Sequence, residues 1–125
     1  MPRDSSVYSA EWMRIAEKDW NRARRLLAAQ DAEAAGFHLQ QSVEKFLKGF
    51  LLLKGWKLKR THDLEALLDA AVVYDGALAQ FRSVCQEISN CYLVERYPGP
   101  QASGPSLADV EASFQAVSEL IDKLR

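Results

Sequence analysis

Apolar residues recur at steps of three and four along five segments of the chain. That spacing places side chains on one face of an α-helix. The first segment predicts a helix from about Ala10 to Ala29, with Ser9 as its candidate N-cap. Its apolar stripe consists of Trp12, Ile15, Ala16, Trp20, Ala23 and Leu27.

The second predicted helix is more apolar than the first and follows it after a short connection. Asp31 is its expected N-cap, and Gly55 should end the helix just after Lys54. Its C-terminal half is apolar most of the way round, through Phe46, Leu47, Phe50, Leu51 and Leu53. Such a helix lies either at the centre of a bundle or in an interface between subunits, and the pattern leaves both alternatives open.

Three further helices are predicted in the second half of the chain. Thr61 is the expected N-cap of a short third helix, and the fourth helix should span about Ala77 to Val94. The segment from about 95 to 105 holds three prolines and two glycines and is therefore predicted to be a loop. Ser106 is the expected cap of the last helix, with Asp109 at its third position in the manner of a capping box.

These elements together predict an all-α fold. No strand-length run alternates strictly between apolar and polar residues, and the short connections favour antiparallel neighbours. The expected architecture is an up-and-down bundle of four longer helices plus one short helix. We expect one domain over residues 1–125, with its core between about 9 and 124 and its loop at about 95–105.

The charge of the chain is nearly balanced, with 16 Lys and Arg residues against 17 Asp and Glu residues. This balance excludes a generally cationic nucleic-acid binder but permits a local basic patch. The first six residues lack the apolar run of a signal peptide, and no stretch approaches the roughly 20 apolar residues of a membrane span. We therefore expect a cytoplasmic location and no membrane association.

Metal and cofactor chemistry are not expected. The two histidines, His38 and His62, lie far apart in the sequence and in no ligand-spaced pattern, which argues against a metal site. The glycines form no phosphate-binding loop. The chain is therefore predicted to use no cofactor.

Two local patterns could carry chemistry. The first is a polar set on the second helix, made of Gln40, Gln41, Glu44, Lys45 and Lys48. In the second pattern, Thr61-His62-Asp63 begins the third helix, and His62 could act as an acid or base near neutral pH. Each pattern also has a plain structural interpretation, as a charged helix face in the first case and as a helix start in the second.

Basic residues gather in two places where they could bind a polyanion in a salt-dependent manner. A stripe on the first helix holds Arg14, Lys18, Arg22 and Arg25, and a cluster after the second helix holds Lys54, Lys57, Lys59 and Arg60. A solvated helix face is the alternative interpretation of the stripe.

The polar residues of both patterns also carry a family resemblance. The run from Ala35 to Lys48 resembles the second-helix signature of the HEPN family, and Thr61-His62-Asp63-Leu64 resembles its Thr-His-Asp-Leu element. Arg96-Tyr97-Pro98 is similar to the Arg-Tyr-Pro ending of many members that stand alone. The opening helix also fits, through Trp12, Ala16, Lys18 and Asp19. The matches span roughly residues 9 to 124.

The resemblance implies a small prokaryotic protein with a bundle of four to five helices, commonly a homodimer. It also implies a gene beside that of a minimal nucleotidyltransferase, which is therefore an expected partner. Many HEPN proteins are metal-independent RNases, including toxins of toxin–antitoxin systems, and they use an Arg and a later His with four to six residues between them. Here the corresponding positions before His62 are Gly55, Trp56 and Lys57.

Because this chain departs from the nuclease motif, the first hypothesis is a non-catalytic homodimeric module. It would bind a nucleotidyltransferase, a nucleotide or RNA, with the basic residues Lys45, Lys48, Lys57, Arg60 and Arg96 as the candidate binding groups. The alternative is a metal-independent RNase with a rearranged site. Its candidate catalytic residues are His62, Arg96 and Tyr97.

Overall fold

The computed structural model describes residues 5–92 and 104–125, and within these ranges the chain forms helices and no strand. Five α-helices are present, which confirms the predicted all-α fold. They are α1 (Ser5–Ala28), α2 (Ala32–Leu53), α3 (Leu64–Val72), α4 (Arg82–Tyr92) and α5 (Leu107–Leu124), with a 3₁₀ helix (Gly76–Phe81) leading directly into α4. No described helix has both the length and the apolar character needed to cross a membrane.

The second helix occupies the centre of the fold. α2 packs along α1 and also contacts α3, α4 and α5. The core around it is built from large apolar side chains, among them Trp20, Leu39, Phe46, Leu47, Leu67, Leu68, Ile88, Val117 and Leu120. Burial within its own chain explains most of the apolar character of α2, since Phe46, Leu47 and Leu51 are buried, while Leu53 near its end is exposed. The structure therefore supports the central position, and the interface stays a prediction.

Three of the predicted helix boundaries are confirmed by their hydrogen bonds. Asp31 caps α2 by accepting from the backbone N–H of Ala34 at 3.1 Å. Ser106 caps α5 by accepting from the N–H of Asp109 at 3.0 Å. Gly55 follows the end of α2 with a φ of 89°, the left-handed conformation that glycine adopts at low cost.

Two predicted caps are wrong. Helix α1 begins before Ser9, and the Ser9 hydroxyl is buried and donates to the carbonyl oxygen of Gly49 at 2.6 Å. Helix α3 is capped by Asp63, whose carboxylate accepts from the N–H of Glu65 at 3.0 Å. Thr61 lies two residues earlier and accepts from the N–H of Asp63. Val94 and most of the predicted loop lie outside the described residues.

Two residues after the end of α1, Gln30 adopts a left-handed backbone conformation that is unfavourable for a residue with a Cβ. Gln30 has a φ of 64°, and the N–H groups of Gln30 and Asp31 bond back to the carbonyls of Leu27 and Leu26 at 3.0 Å. This is the motif in which glycine is preferred. Since a Cβ costs about 1–2 kcal/mol there, Gln30→Gly should raise the free energy of unfolding by about 0.5–1 kcal/mol after the added entropy of the unfolded chain is subtracted.

Urea unfolding of the two proteins would measure this gain. Gln30→Ala is the matched control, because it removes the same polar side chain but keeps the Cβ, and it should give no gain. An equal gain in the glycine and alanine variants would contradict the conformational explanation.

Candidate functional site

The polar residues of α2 are organised around a buried carboxylate. Only 4% of the Glu44 side chain is exposed, and three donors surround it. Lys48 Nζ lies 2.9 Å from Oε2, while Oε1 is 2.8 Å from His62 Nδ1 and 3.2 Å from Gln40 Nε2. We call these four residues (Glu44, Lys48, His62 and Gln40) the Glu44 cluster.

The sequence suggested two roles for His62, as part of a helix start and as an acid or base. Its backbone and its ring make different contacts. Its backbone is part of the structure before α3, because its carbonyl oxygen accepts from Gln40 Nε2 at 3.1 Å and from Ser89 Oγ at 3.5 Å. Its ring is different, since 65% of the side chain is exposed while Nδ1 lies against Glu44. A carboxylate that orients an exposed imidazole is an arrangement suited to binding or proton transfer.

Lys48 is held inside the fold. Its side chain is 5% exposed, and its ammonium lies 2.9 Å from Glu44 and 5.4 Å from the centre of the Trp12 ring. Glu44 and Lys48 are four residues apart, a spacing that allows an ion pair on one helix face, and the structure shows that this pair is buried. Breaking a buried pair costs far more than breaking an exposed one.

A second buried carboxylate lies between α1 and α2. The Asp19 side chain is 6% exposed, and it accepts from Lys45 Nζ at 2.6 Å. His38 Nδ1 lies 3.4 Å and Arg22 Nη1 3.7 Å from its other oxygen. We call these residues (Asp19, Lys45, His38 and Arg22) the Asp19 cluster. Its carboxylate neutralises Lys45, which the sequence suggested as a ligand-binding residue.

Sequence reasoning named Asp19 only within the family resemblance and assigned it no contacts. A signal was present, because Asp19 lies three residues after Ala16 and four before Ala23, inside the apolar stripe of α1. A charged residue at a stripe position is buried and needs a partner. The pattern could therefore have identified Asp19 as the centre of a buried ion pair.

The segment between α2 and α3 is the exposed basic part of the site. Lys57, Lys59 and Arg60 are all exposed, and Lys59 Nζ lies 5.9 Å from the centre of the Trp56 ring. Neither Lys57 nor Arg60 pairs with a carboxylate of another described residue. The segment leads directly to the exposed ring of His62. Arg96 and Tyr97, the other predicted catalytic residues, lie outside the described residues.

Other chemistry has little support in the part of the chain that the structure describes. Burial raises the pKa of the Cys85 thiol to about 12, so this cysteine is not a nucleophile at neutral pH. Among the described residues, no three His, Cys, Asp or Glu side chains are grouped as a metal ion would require.

Comparison with known families finds a match over nearly the whole chain. The family model described as the HEPN domain matches residues 9–125. No curated protein and no solved structure matches the chain.

Proposed function

The chain belongs to the HEPN domain family, and from this premise we propose that it works as a homodimeric module that binds RNA through a basic surface around His62. We define this surface as Lys57, Arg60 and His62. The observation that carries the proposal is the exposed imidazole, held by Glu44 at the end of a basic segment in which Lys57 and Arg60 are exposed and form no ion pair with another described residue. The surface offers two exposed cations and a ring oriented by Glu44.

The other predicted binding residues have a different role in this proposal. Lys45 and Lys48 have their ammonium groups against buried carboxylates, so binding a phosphate would break an existing ion pair. Phosphate binding by Lys57 and Arg60 breaks no ion pair among the described residues, because both side chains are exposed and neither contacts a described carboxylate. Phosphate contacts of this kind dominate affinity for nucleic acids and weaken as salt rises. Arg96 stays a prediction from the sequence.

Reversing one charge of the surface should weaken RNA binding. We expect Lys57→Glu to raise the dissociation constant for a short labelled single-stranded RNA by about five- to tenfold near 0.1 M salt, and to reduce the salt slope by about one. Fluorescence anisotropy measures both quantities. Lys123→Glu is the matched control, since Lys123 is an exposed lysine on α5, and it should leave the affinity nearly unchanged.

The same assay separates the alternatives. If Lys57→Glu and Lys123→Glu weaken binding equally, the surface around His62 is not the binding site. Competition by ATP would indicate a nucleotide in place of RNA. A chain that binds neither but co-purifies with a nucleotidyltransferase would favour the protein partner that the family resemblance implies.

The homodimer is the part of the proposal that rests on the family. Five large apolar side chains among the described residues are exposed and offer surface to a second copy, namely Tyr8, Leu53, Leu58, Val73 and Tyr74. Light scattering coupled to size exclusion would measure the mass in solution. A monomeric mass across micromolar concentrations would contradict the homodimer.

RNA cleavage is the second candidate function, and the Glu44–His62 contact at 2.8 Å is the observation that favours it. A histidine held by a carboxylate is a competent general acid or base. Incubating the protein with structured and unstructured RNA, followed by a denaturing gel, tests the activity. Cleavage by His62→Ala that equals cleavage by the parent would contradict the assignment of His62.

A further inference from the structure

We propose that Glu44 is a positioning residue that holds the neutral ring of His62 in its Nδ1–H tautomer, so that the exposed Nε2 is a proton acceptor. The site then takes a ligand that presents a hydroxyl group beside its phosphates, as the ribose of RNA does. This inference rests on the proposed function, and it adds which group of the ligand meets which atom of the protein.

Glu44 is the acceptor in its hydrogen bond with His62. An ionised carboxylate can only accept, and Glu44 Oε1 lies 2.8 Å from Nδ1. The ammonium of Lys48 lies 2.9 Å from the other oxygen and balances the negative charge inside the fold. The proton of a neutral ring therefore belongs on Nδ1, since the opposite tautomer would place a lone pair against the carboxylate.

Gln40 holds the Glu44 carboxylate in position relative to the backbone of His62. The amide of Gln40 donates to Glu44 and to the backbone carbonyl of His62, at 3.2 and 3.1 Å. Its own oxygen accepts from Gln41 Nε2 at 2.6 Å, which fixes the orientation of the amide. Gln40 thus ties the carboxylate and the backbone of the histidine together. The acceptor is therefore fixed relative to the backbone of His62, and the hydrogen bond from Nδ1 to Glu44 orients the ring.

The exposed Nε2 of His62 determines which group of a ligand the ring can bind. Nδ1 faces the protein, and most of the ring is exposed, so Nε2 is the nitrogen that a ligand meets. An ionised phosphate has no proton to donate and cannot bond to a bare Nε2. Phosphates therefore go to Lys57 and Arg60, and the imidazole is left for a donor. In a nucleic acid the donor that distinguishes RNA from DNA is the 2′-hydroxyl.

Nuclear magnetic resonance of the wild-type protein tests the tautomer directly. Nitrogen-15 shifts of the histidine rings, assigned with His62→Ala and His38→Ala, are recorded at a pH where the rings are neutral. We expect His62 to show a protonated Nδ1 and a bare Nε2. In Glu44→Gln the signals should move toward the Nε2–H form that free histidine prefers in water. A protonated Nε2 in the wild type would overturn the proposal.

Binding of three matched oligonucleotides tests the hydroxyl contact. RNA, DNA and 2′-O-methyl RNA of one sequence are compared by anisotropy, and the wild type should prefer RNA by about fivefold, the size of one net hydrogen bond. His62→Ala should lose this preference and keep the salt-dependent binding. His38→Ala is the matched control, because His38 is also held by a carboxylate, and it should keep the preference.

The outcomes separate this inference from the proposed function. Equal binding of the three oligonucleotides by the wild type would overturn the hydroxyl contact and leave the phosphate-binding surface intact. Binding of none of them would overturn the proposed function and the hydroxyl contact together. A preference for RNA that survives in His62→Ala would place the discriminating group elsewhere and would also overturn the proposal.

Discussion

Replacing Glu44 by leucine should lower the free energy of unfolding by about 3–5 kcal/mol, the cost of leaving one partner of a buried ion pair behind. Lys48 would keep its ammonium in a position where only 5% of the side chain is exposed, without the carboxylate that balances it. His62 Nδ1 would also lose its acceptor, and Gln40 Nε2 would keep only the backbone carbonyl of His62. Urea unfolding followed by circular dichroism measures the change.

Two further variants show whether the cost arises from the unpaired charge. Lys48→Met should be milder than Glu44→Leu, because Glu44 would still accept from His62 and Gln40. The double variant Glu44→Leu with Lys48→Met removes both charges and should recover much of the loss, since apolar replacement of a buried pair is often tolerated. A double variant no more stable than Glu44→Leu would show that packing dominates at this site.

Glu44 has a role in stability and a role in the proposed RNA-binding surface. The same carboxylate stabilises the packing of α2 through Lys48 and orients the ring of His62 at the surface. A loss of RNA binding in Glu44→Leu would therefore be ambiguous if it were measured alone. Glu44→Gln and the ring-nitrogen signals of His62 separate the two roles, because protein stability does not determine the tautomer.

Helix positions could be predicted from the sequence because local spacing determines them. The apolar stripes identified α1, α2 and α5, and the caps Asp31 and Ser106 were correct since each precedes its helix directly. The two N-cap predictions that were wrong, Ser9 and Thr61, are residue types that commonly cap helices. Ser9 instead bonds to Gly49, 40 residues away, which no local rule detects.

The candidate site could be predicted only in part. Glu44, Lys48 and His62 were all named from the sequence, but Glu44 and His62 are 18 residues apart and meet only because the segment after α2 returns along that helix. The burial of Glu44 and Lys48 could not be predicted from the sequence either. Lys45 and Lys48 look like surface lysines in the sequence. The spacing shows Glu44 as a partner for Lys48, but the burial of that pair and the contact of Lys45 with Asp19 become evident only when α1 and α2 are packed together.

Replacing Gly36 by alanine should destabilise the protein by about 1–2 kcal/mol, although alanine is the better helix former by about 1 kcal/mol. A Cβ at Gly36 would lie 3.1 Å from two ring carbons of Tyr92. That ring is buried, and its hydroxyl lies 3.0 Å from Ser113 Oγ. A rigid ring that is fixed at both ends cannot move aside, so α2 and α4 must separate slightly.

Gly49→Ala is the matched control, because it lies in the same helix and its Cβ would also meet a neighbour at 3.1 Å. That neighbour is the side chain of Met13, which has three rotatable bonds and can move. We expect its free energy of unfolding to stay within about 1 kcal/mol of the parent, since the gain in helix propensity offsets the crowding. The two variants therefore differ mainly in the rigidity of the neighbour, and an equal loss in both would show that Tyr92 yields as easily as Met13.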